Sequence, residues 1–154
     1  KIKLVISNNK NAKGIIHAKK NSITYLIINT KLKNYETNLI EVLKKHKISF
    51  ICLAGYMKII SKKFIAKFNK KIINIHPSLL PKFKGLNTFE RILINKEKKT
   101  GCTVHYVNEE LDGGEILYQS EVPIIQDDSV KTLTRRIQLK EYEILPYAIG
   151  IAIK

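Results

Sequence analysis

The sequence is poor in the residues that mark disulfide-stapled or membrane-spanning proteins. It has only two cysteines, Cys52 and Cys102, in 154 residues. Two are too few for a disulfide framework, and since each lies in an apolar run we expect both to be small core residues. The longest apolar stretches, such as 48–55 and 144–153, are shorter than the roughly 20 residues that a transmembrane helix needs. With no signal-peptide pattern either, the sequence predicts a soluble cytoplasmic protein with no membrane partner.

Acidic residues and arginine are scarce as well. The chain has 13 acidic and 28 basic residues, a formal net charge of +15 at pH 7, and three arginines, Arg91, Arg135 and Arg136. A basic domain is compatible with nucleic-acid binding, but the sequence has no basic groove interleaved with aromatic residues of the kind that single-strand binders use. Scattered lysines are typical of a solvated surface, and their field attracts small anionic substrates. We therefore expect no nucleic-acid partner.

Glycine clusters are also missing. The seven glycines include no G-x-G pattern after a strand, which is the pattern that cradles phosphate groups at a helix N-terminus. The chain opens directly on a predicted strand at 2–6. We therefore expect no phosphate cradle in the first strand-to-helix turn of this sequence.

What the sequence does contain is an alternation of apolar β-branched runs with segments of helical spacing. The first four predicted strands are each connected to the next by a helix, which is typical of an α/β protein with an open parallel sheet. The last two strands predict an antiparallel excursion. The predicted strands are 2–6, 23–28, 48–54, 72–75, 103–107 and 116–123, and the predicted helices are 12–20, 35–46, 61–68, 88–95 and one beginning near 129.

The helical segments also carry signals for their ends and for their buried faces. Ser61 is expected to cap the third helix, and Ser129 or Asp128 the last one. Pro146 is expected to mark a kink or a boundary in the last helix. The side chains expected to face the core are Ile15, Ile16 and Ala18 in the first helix and Leu39, Val42 and Leu43 in the second.

The stretch 72–85, which reads I-I-N-I-H-P-S-L-L-P-K-F-K-G, places polar chemistry where a buried strand ends. Asn74 and His76 are two residues apart, so on an extended chain both project from one face, while Ile73 and Ile75 point to the other. Ligands of open α/β sheets bind outside the carboxyl ends of the strands. An amide donor beside an imidazole at such a position favours oxyanion stabilisation and proton transfer.

A carboxylate to orient the histidine is the missing member of this set. Asp112, in the L-D-G-G sequence at 111–114, is the candidate, because a nearby negative charge would raise the pKa of His76 and keep the cation. The alternative interpretation is that Asp-Gly is turn chemistry and nothing more. Both remain open from spacing alone.

Three separated blocks resemble one enzyme family. They are A-G-Y-M-K-I-I-S at 54–61, N-I-H-P-S-L-L-P-K-F-K-G at 74–85, and G-C-T-V-H-Y-V followed by E-E-L-D-G-G within 101–114. In this order they are similar to the phosphoribosylglycinamide formyltransferases of purine biosynthesis. The resemblance implies a Rossmann-like fold, mostly parallel with an antiparallel hairpin excursion. It also implies transfer of a formyl group from 10-formyltetrahydrofolate, a co-substrate, to the amine of glycinamide ribonucleotide, without a metal.

The resemblance further implies roles for particular residues. Asn74, His76 and Asp112 would be catalytic. Lys31 or Lys33 would face the tail of the folate. The residues implied for the folate are Met57, Lys58, Ile59, Ile60, Asn74, Asn108, Glu109, Glu110, Leu111 and Asp112, and those implied for the nucleotide are Gln138, Leu139, Lys140 and Glu141.

The sequence also departs from the family pattern. Asn87 and Phe89 stand where many members have histidines, and Lys58 stands where arginine is common. The family's Gly-Ser-rich loop for the substrate phosphate has no counterpart. We therefore expect 1–154 to be a single catalytic domain that lacks the N-terminal strand, phosphate loop and first helix, and to be inactive alone with glycinamide ribonucleotide. A monomer or weak homodimer is expected.

Three alternatives remain open. Methionyl-tRNA formyltransferase is similar, but it usually shows R-G-A-x-P and L-D-T-G where this chain has K-G-L-N-T and L-D-G-G, and it has a further C-terminal domain. Formyltetrahydrofolate deformylase typically reads H-S-F-L-P in place of P-S-L-L-P. A non-catalytic basic α/β binding module would bind nucleic acid with a steep salt dependence and would not bind a folate analogue.

Overall fold

The computed structural model describes the whole chain, Lys1–Lys154. It contains two compact units, one of Lys1–Ser49 with Ala66–Phe68 and one of Phe50–Ile65 with Asn69–Lys154. The interpretation of 1–154 as one catalytic domain stays a prediction. The strands are β1 (Val5–Ser7), β2 (Tyr25–Ile27), β3 (Ile51–Leu53), β4 (Ile72–His76), β5 (Lys99–Tyr106) and β6 (Ile116–Pro123). The helices are α1 (Lys13–Lys20), α2 (Tyr35–Lys45), α3 (Lys62–Phe68), α4 (Thr88–Ile94) and α5 (Val130–Ala152).

The strand pairing confirms the predicted α/β class. β1 pairs in parallel with β2 in the first unit, and the second unit has the strand order β3-β4-β5-β6. There β3 and β4 are parallel, whereas β4–β5 and β5–β6 are antiparallel. The antiparallel excursion is thus confirmed. β1, β2 and β3 have three residues each, so they are shorter than the apolar runs that predicted them.

The helices of the first unit correct two assignments of buried side chains. α1 buries Ile15 and Ala18, whereas Ile16 is 58% exposed. Its predicted core position is wrong because neighbouring residues lie about 100° apart around a helix. α2 buries Ile40 and Leu43, a pair at the i, i+3 spacing that shares one helix face. Ile40 was not among the predicted core residues.

The core of the second unit lies against one face of its sheet. Ile73 and Ile75 of β4 belong to it, as the alternation in the sequence predicted. The other buried members are Ile92, Cys102, Val104, Val122, Leu133, Ile137, Ile144, Ala148 and Ala152. Cys102 is therefore a core residue as expected, but Cys52 is exposed, so its predicted core position is wrong. An apolar run alone does not say which face of a strand is covered.

β5 begins at Lys99, four residues before the predicted start. The strand includes Gly101, which pairs with Glu121 of β6. A Cβ atom at Gly101 would collide with the backbone carbonyl of Ser120 on β6. Glycine here allows the close approach of two strands, although in the sequence it resembles a turn signal.

The ends of α3 and α5 follow their predicted caps. The Ser61 side chain accepts a hydrogen bond from the Phe64 N–H at 3.1 Å, and Ser129 and Thr132 form a reciprocal capping box.

Pro146 lies inside α5, so it does not mark a boundary. The carbonyl that it leaves without an N–H partner belongs to Tyr142, a residue 68% exposed, where water can replace the missing donor. Although α5 has 23 residues, no helix is both long and apolar enough to cross a membrane.

Candidate active site

The strand side of the candidate site is built by the pairing of β4 with β5. The register sets Asn74 opposite His105 and His76 opposite Thr103, so four polar side chains project from the same face of two neighbouring strands. His76 is 6% exposed, His105 2% and Thr103 0%. Because buried polar groups need partners, the contacts of these side chains describe the site.

His76 and Asp112 are in contact, as predicted. The His76 Nδ1 atom lies 3.3 Å from Asp112 Oδ2, and both side chains are almost fully buried. The same carboxylate oxygen accepts a hydrogen bond from the Gly85 N–H at 2.9 Å. Asp112 is therefore more than a turn residue, and the turn interpretation of the L-D-G-G sequence does not account for its contacts.

Both ring nitrogens of His76 face oxygen atoms. The Nε2 atom lies 2.9 Å from the backbone carbonyl of Phe83, and Nδ1 faces Asp112. A neutral imidazole has one N–H, so either tautomer would set a ring lone pair against an oxygen. The imidazolium donates to both, and this geometry therefore favours the charged ring.

Burial of His76 acts against this preference for the charged ring. It lowers the pKa of His76 below the ordinary value, and the Phe83 carbonyl and the Asp112 carboxylate, which both raise it, compensate only in part. The prediction that Asp112 raises the pKa of His76 is right for the effect of Asp112 itself and wrong for the net result. The neutral ring is consequently favoured over a wider pH range than in a free imidazole.

Asp112 remains ionised. Burial alone would raise its pKa, but the His105 ring, the Gly85 N–H and the His76 ring lower the pKa to about 2. The carboxylate is therefore a fixed negative charge near neutral pH.

His105 is a member of the site that was not predicted. Its Nε2 atom lies 3.3 Å from Asn74 Nδ2 and 3.6 Å from Asp112 Oδ1, so it links the two residues. Its Nδ1–H donates to the Tyr106 carbonyl at 2.8 Å, since a carbonyl oxygen can only accept. The signal that could have found it is the alternation of Thr103 and His105 within the predicted strand 103–107.

Left-handed backbone shapes the loop side of the site. Phe83, Gly85, Asn87 and Asp112 have φ angles of 57°, 80°, 54° and 47°, and three of these are not glycine. Such conformations are costly for residues with a Cβ atom and persist where the surrounding contacts hold them. Here they turn one carbonyl toward His76 and one N–H toward Asp112.

The residues implied for the folate lie in two connections of the second unit. Met57 and Ile59, between β3 and α3, are each 71% exposed, and Leu111, between β5 and β6, is 50% exposed. Exposed apolar side chains of this kind are available to an aromatic ring system. An ion pair of 2.6 Å between Lys62 and Glu109 joins the two connections. Lys58, Asn108 and Glu110 are also exposed, and Ile60 is half-buried.

The residues implied for the nucleotide follow one another on α5. Gln138 is exposed, Leu139 is 62% exposed, and the Lys140 ammonium pairs with Glu143 at 2.6 Å. Glu141 differs from these because burial raises the pKa of its carboxyl group to about 7. Near neutral pH it can therefore donate a hydrogen bond as well as accept one.

The first unit has a cavity of its own. It has a volume of about 300 Å³ and is lined by Asn8 and residues 27–31, at the carboxyl ends of β1 and β2, where ligands of such sheets bind. Lys31, expected to face a folate tail, lines this cavity, whereas Lys33 does not appear in its lining. No group of three or more histidine, cysteine, aspartate or glutamate side chains is arranged to hold a metal ion.

Comparison with known proteins assigns the family. The family model described as "Formyl transferase" matches residues 1–149. The chain belongs to the formyl transferase family. It is 43% identical to the phosphoribosylglycinamide formyltransferase of Haemophilus influenzae, over 97% of this chain and 72% of that protein. It is 45% identical to the trifunctional purine biosynthetic protein adenosine-3 of Bos taurus, over 97% of this chain but 15% of that protein.

Solved structures of this family have the same fold. The phosphoribosylglycinamide formyltransferase of Anaplasma phagocytophilum is 41% identical, with a TM-score of 0.90, over 97% of this chain and 72% of that one. The enzyme from Streptococcus pneumoniae is 30% identical, with a TM-score of 0.92, over 99% of this chain and 87% of that one. The resemblance seen in three sequence blocks is thus confirmed, as are the formyltransferase fold and the prediction of an enzyme.

Proposed function

We propose that this protein transfers a formyl group from 10-formyltetrahydrofolate to the amine of glycinamide ribonucleotide in purine biosynthesis. The observation that carries the proposal is the buried His76, held between the Asp112 carboxylate and the Phe83 carbonyl on the same strand face as Asn74. The relatives named phosphoribosylglycinamide formyltransferase support the choice of substrates. The cytoplasmic location and the monomer or weak homodimer stay predictions.

The reaction needs charge stabilisation and one proton transfer. The amine nitrogen attacks the formyl carbon, a C–N bond forms, and the carbonyl oxygen becomes an oxyanion. The bond from that carbon to the folate nitrogen then breaks, and the proton lost by the amine is gained by this leaving nitrogen. Asn74 would donate its amide N–H to the oxyanion, and His76 would donate to it and carry the proton.

The contacts of His76 fit both donation to the oxyanion and transfer of the proton. An oxyanion is a stronger acceptor than the neutral carbonyl of Phe83, so the Nε2–H can change partner when substrate is present. Asp112 would hold Nδ1 and stabilise the charged ring throughout, since its own pKa of about 2 keeps it ionised. The lowered pKa of His76 makes release of the proton easier at neutral pH.

The implied binding residues fit the two substrates. Met57, Ile59 and Leu111 expose apolar surface that suits the pterin ring of the co-substrate, which is consumed in each turnover. Glu141, whose pKa is about 7, could exchange hydrogen bonds with ribose hydroxyl groups. Gln138 is exposed three residues earlier on α5.

The rival reactions differ in the acceptor of the formyl group. A deformylase would transfer it to water, and a methionyl-tRNA formyltransferase to an aminoacyl-tRNA. The basic binding module would transfer nothing. The choice between them rests on the names of the relatives, because the Asn74, His76 and Asp112 cluster serves each of the three reactions.

The test is an acceptor competition with the purified full-length protein. 10-Formyltetrahydrofolate is supplied with glycinamide ribonucleotide, with methionyl-tRNA, or with buffer alone, and the deformylated folate is followed by absorbance. We expect turnover that requires glycinamide ribonucleotide. Equal turnover in buffer would assign a deformylase, and turnover with the tRNA alone would assign the tRNA enzyme. Binding of a non-reactive folate analogue, measured by calorimetry, separates a folate enzyme from the basic binding module.

A further inference from the structure

The backbone of residues 83–87, here called the 83–87 loop, contacts both members of the His76–Asp112 pair. The Phe83 carbonyl lies 2.9 Å from His76 Nε2, and the Gly85 N–H donates to Asp112 at 2.9 Å. Phe83, Gly85 and Asn87 all have left-handed φ angles. A loop with three such residues does not hold its shape through local preference, so other contacts must hold it.

Arg91 of α4 supplies those contacts. Its Nη1–H groups donate to the Lys84 carbonyl at 2.6 Å and to the Leu86 carbonyl at 3.4 Å. Its guanidinium also lies over the Phe83 ring, 5.6 Å from the centroid. The guanidinium donates to both carbonyls through Nη1 while its plane lies on the Phe83 ring; the ammonium of lysine is a compact point charge with no planar face to stack.

The backbone groups of the 83–87 loop face Arg91 and the His76–Asp112 pair in alternation. Arg91 binds the carbonyls of residues 84 and 86, while the groups of residues 83 and 85 face the His76–Asp112 pair. The Lys84 carbonyl and the Gly85 N–H belong to one planar peptide unit, so a hold on this carbonyl orients the N–H that faces Asp112. Arg91 holds residue 83 through its contact with the Phe83 ring.

We propose that Arg91 is a positioning residue for formyl transfer, which acts through the 83–87 loop to hold the Phe83 carbonyl against His76 and the Gly85 N–H against Asp112. Arg91 contacts neither side chain of the pair. It is thus distinct from the residues implied by the family resemblance, and its role in turnover rests on the proposed function.

Arg91 also acts on His76 as a charge. With His105 it lowers the pKa of His76, whereas Asp112 raises it. A charge effect alone would be retained by Arg91→Lys, but the planar group that lies on the Phe83 ring and directs Nη1 at the two carbonyls would be lost. Comparison of Arg91→Lys with Arg91→Met therefore separates charge from positioning.

The first test is steady-state kinetics. Arg91→Met is expected to lower kcat on the order of 10- to 100-fold, because displacements near 1 Å at a reacting group have effects of this size. KM for both substrates should stay within about twofold, since Arg91 is not among the residues implied to bind either substrate. Arg91→Lys should also lose kcat, though less. The matched control is Lys98→Gln, which removes an exposed positive charge near the end of the same helix and should behave as wild type.

The second test does not depend on turnover. Exchange of the His76 Nε2 proton with water is measured by NMR at a pH where the ring is protonated. In Arg91→Met this exchange should accelerate at least on the order of tenfold, because the loop opens locally. The Nδ1 proton of His105, which is bonded to the Tyr106 carbonyl and not to the loop, is the internal reference and should not change.

The outcomes are decisive in either direction. Unchanged His76 exchange, or equal acceleration at His76 and His105, would overturn the positioning role. Full activity of Arg91→Lys would assign Arg91 a charge effect only and would overturn it too. If the wild-type protein transfers no formyl group, the proposed function fails, yet the exchange measurement still decides whether Arg91 holds the loop.

Discussion

The strand side and the loop side of the site are built in different ways. On the strand side, Asn74, His76 and His105 take their places from the register of β4 and β5, beside a core that buries the opposite face. On the loop side, Phe83 and Asp112 meet His76 through left-handed backbone. The strand register places the reacting side chains. The left-handed loops orient His76 and influence its pKa. Substitutions on the strand side should therefore abolish formyl transfer or folding. Substitutions on the loop side should cause smaller losses of kcat or of stability.

The largest effect is expected from the strand side. His76→Ala removes the proton carrier, so kcat should fall about 10²- to 10⁴-fold, while a folate analogue should still bind with near wild-type affinity by calorimetry. His17→Ala, which removes an exposed imidazole from α1, is the matched control. Turnover retained in His76→Ala would contradict the proposed mechanism.

Asp112→Asn tests the loop side with a change of similar shape. The amide cannot stabilise the charged ring of His76, so kcat should fall by about 10²-fold or more, and the pKa of His76, followed by NMR, should fall further. Asp127→Asn is the control, because Asp127 is exposed and also has a left-handed φ angle, of 64°. An unchanged pKa of His76 in Asp112→Asn would show that the two side chains are not coupled.

Substitution of two glycines, one in β5 and one in the 83–87 loop, compares how much each region contributes to stability. Gly101→Ala, in β5, would force a Cβ atom into the Ser120 carbonyl and should lower the free energy of unfolding by about 3 kcal/mol or more. Gly85→Ala, in the 83–87 loop, has room for its Cβ atom but sits at φ 80°, so a cost of roughly 1–2 kcal/mol is expected. Urea denaturation measures both. A larger effect at Gly85 would contradict the view that the loop side is the adjustable one.

The smallest effect concerns a carboxylate outside the site. The bidentate ion pair with Arg136, at 2.7 and 2.8 Å, holds the pKa of Asp128 well below its usual range. A depressed folded-state pKa stabilises the protein above the unfolded value of about 4, and this stabilisation is lost as the pH falls toward the folded value. Asp128→Asn should therefore lower stability by about 1–2 kcal/mol at pH 7, with unchanged kcat.

The pH dependence provides the check on this last variant. The difference in unfolding free energy between wild type and Asp128→Asn should shrink as the pH falls below about 4. A constant difference between pH 7 and pH 3, measured by urea denaturation, would contradict the role assigned to the ion pair.

Local signals in the sequence predicted a large part of this arrangement. Ser61 and Ser129 cap their helices as expected, and the two-residue spacing of Asn74 and His76 correctly set them opposite Ile73 and Ile75. These succeed because caps and strand alternation depend on neighbours in the chain. Asp112 was a candidate from the L-D-G-G sequence, but its distance from His76 in the sequence carries no information about contact, so the turn interpretation stayed open until the family resemblance implied its role.

Local patterns along the chain are enough to establish the chemistry available to this protein: an amide and an imidazole at a strand end, a carboxylate in the L-D-G-G turn at 111–114, and apolar spacing for an α/β fold. Tertiary structure decided which of these groups meet. His105 enters through the register of an antiparallel strand, Phe83 through a left-handed carbonyl, and the lowered pKa of His76 through burial. The physical reason is that pairing, burial and backbone strain are properties of contacts between distant segments, which no local pattern records.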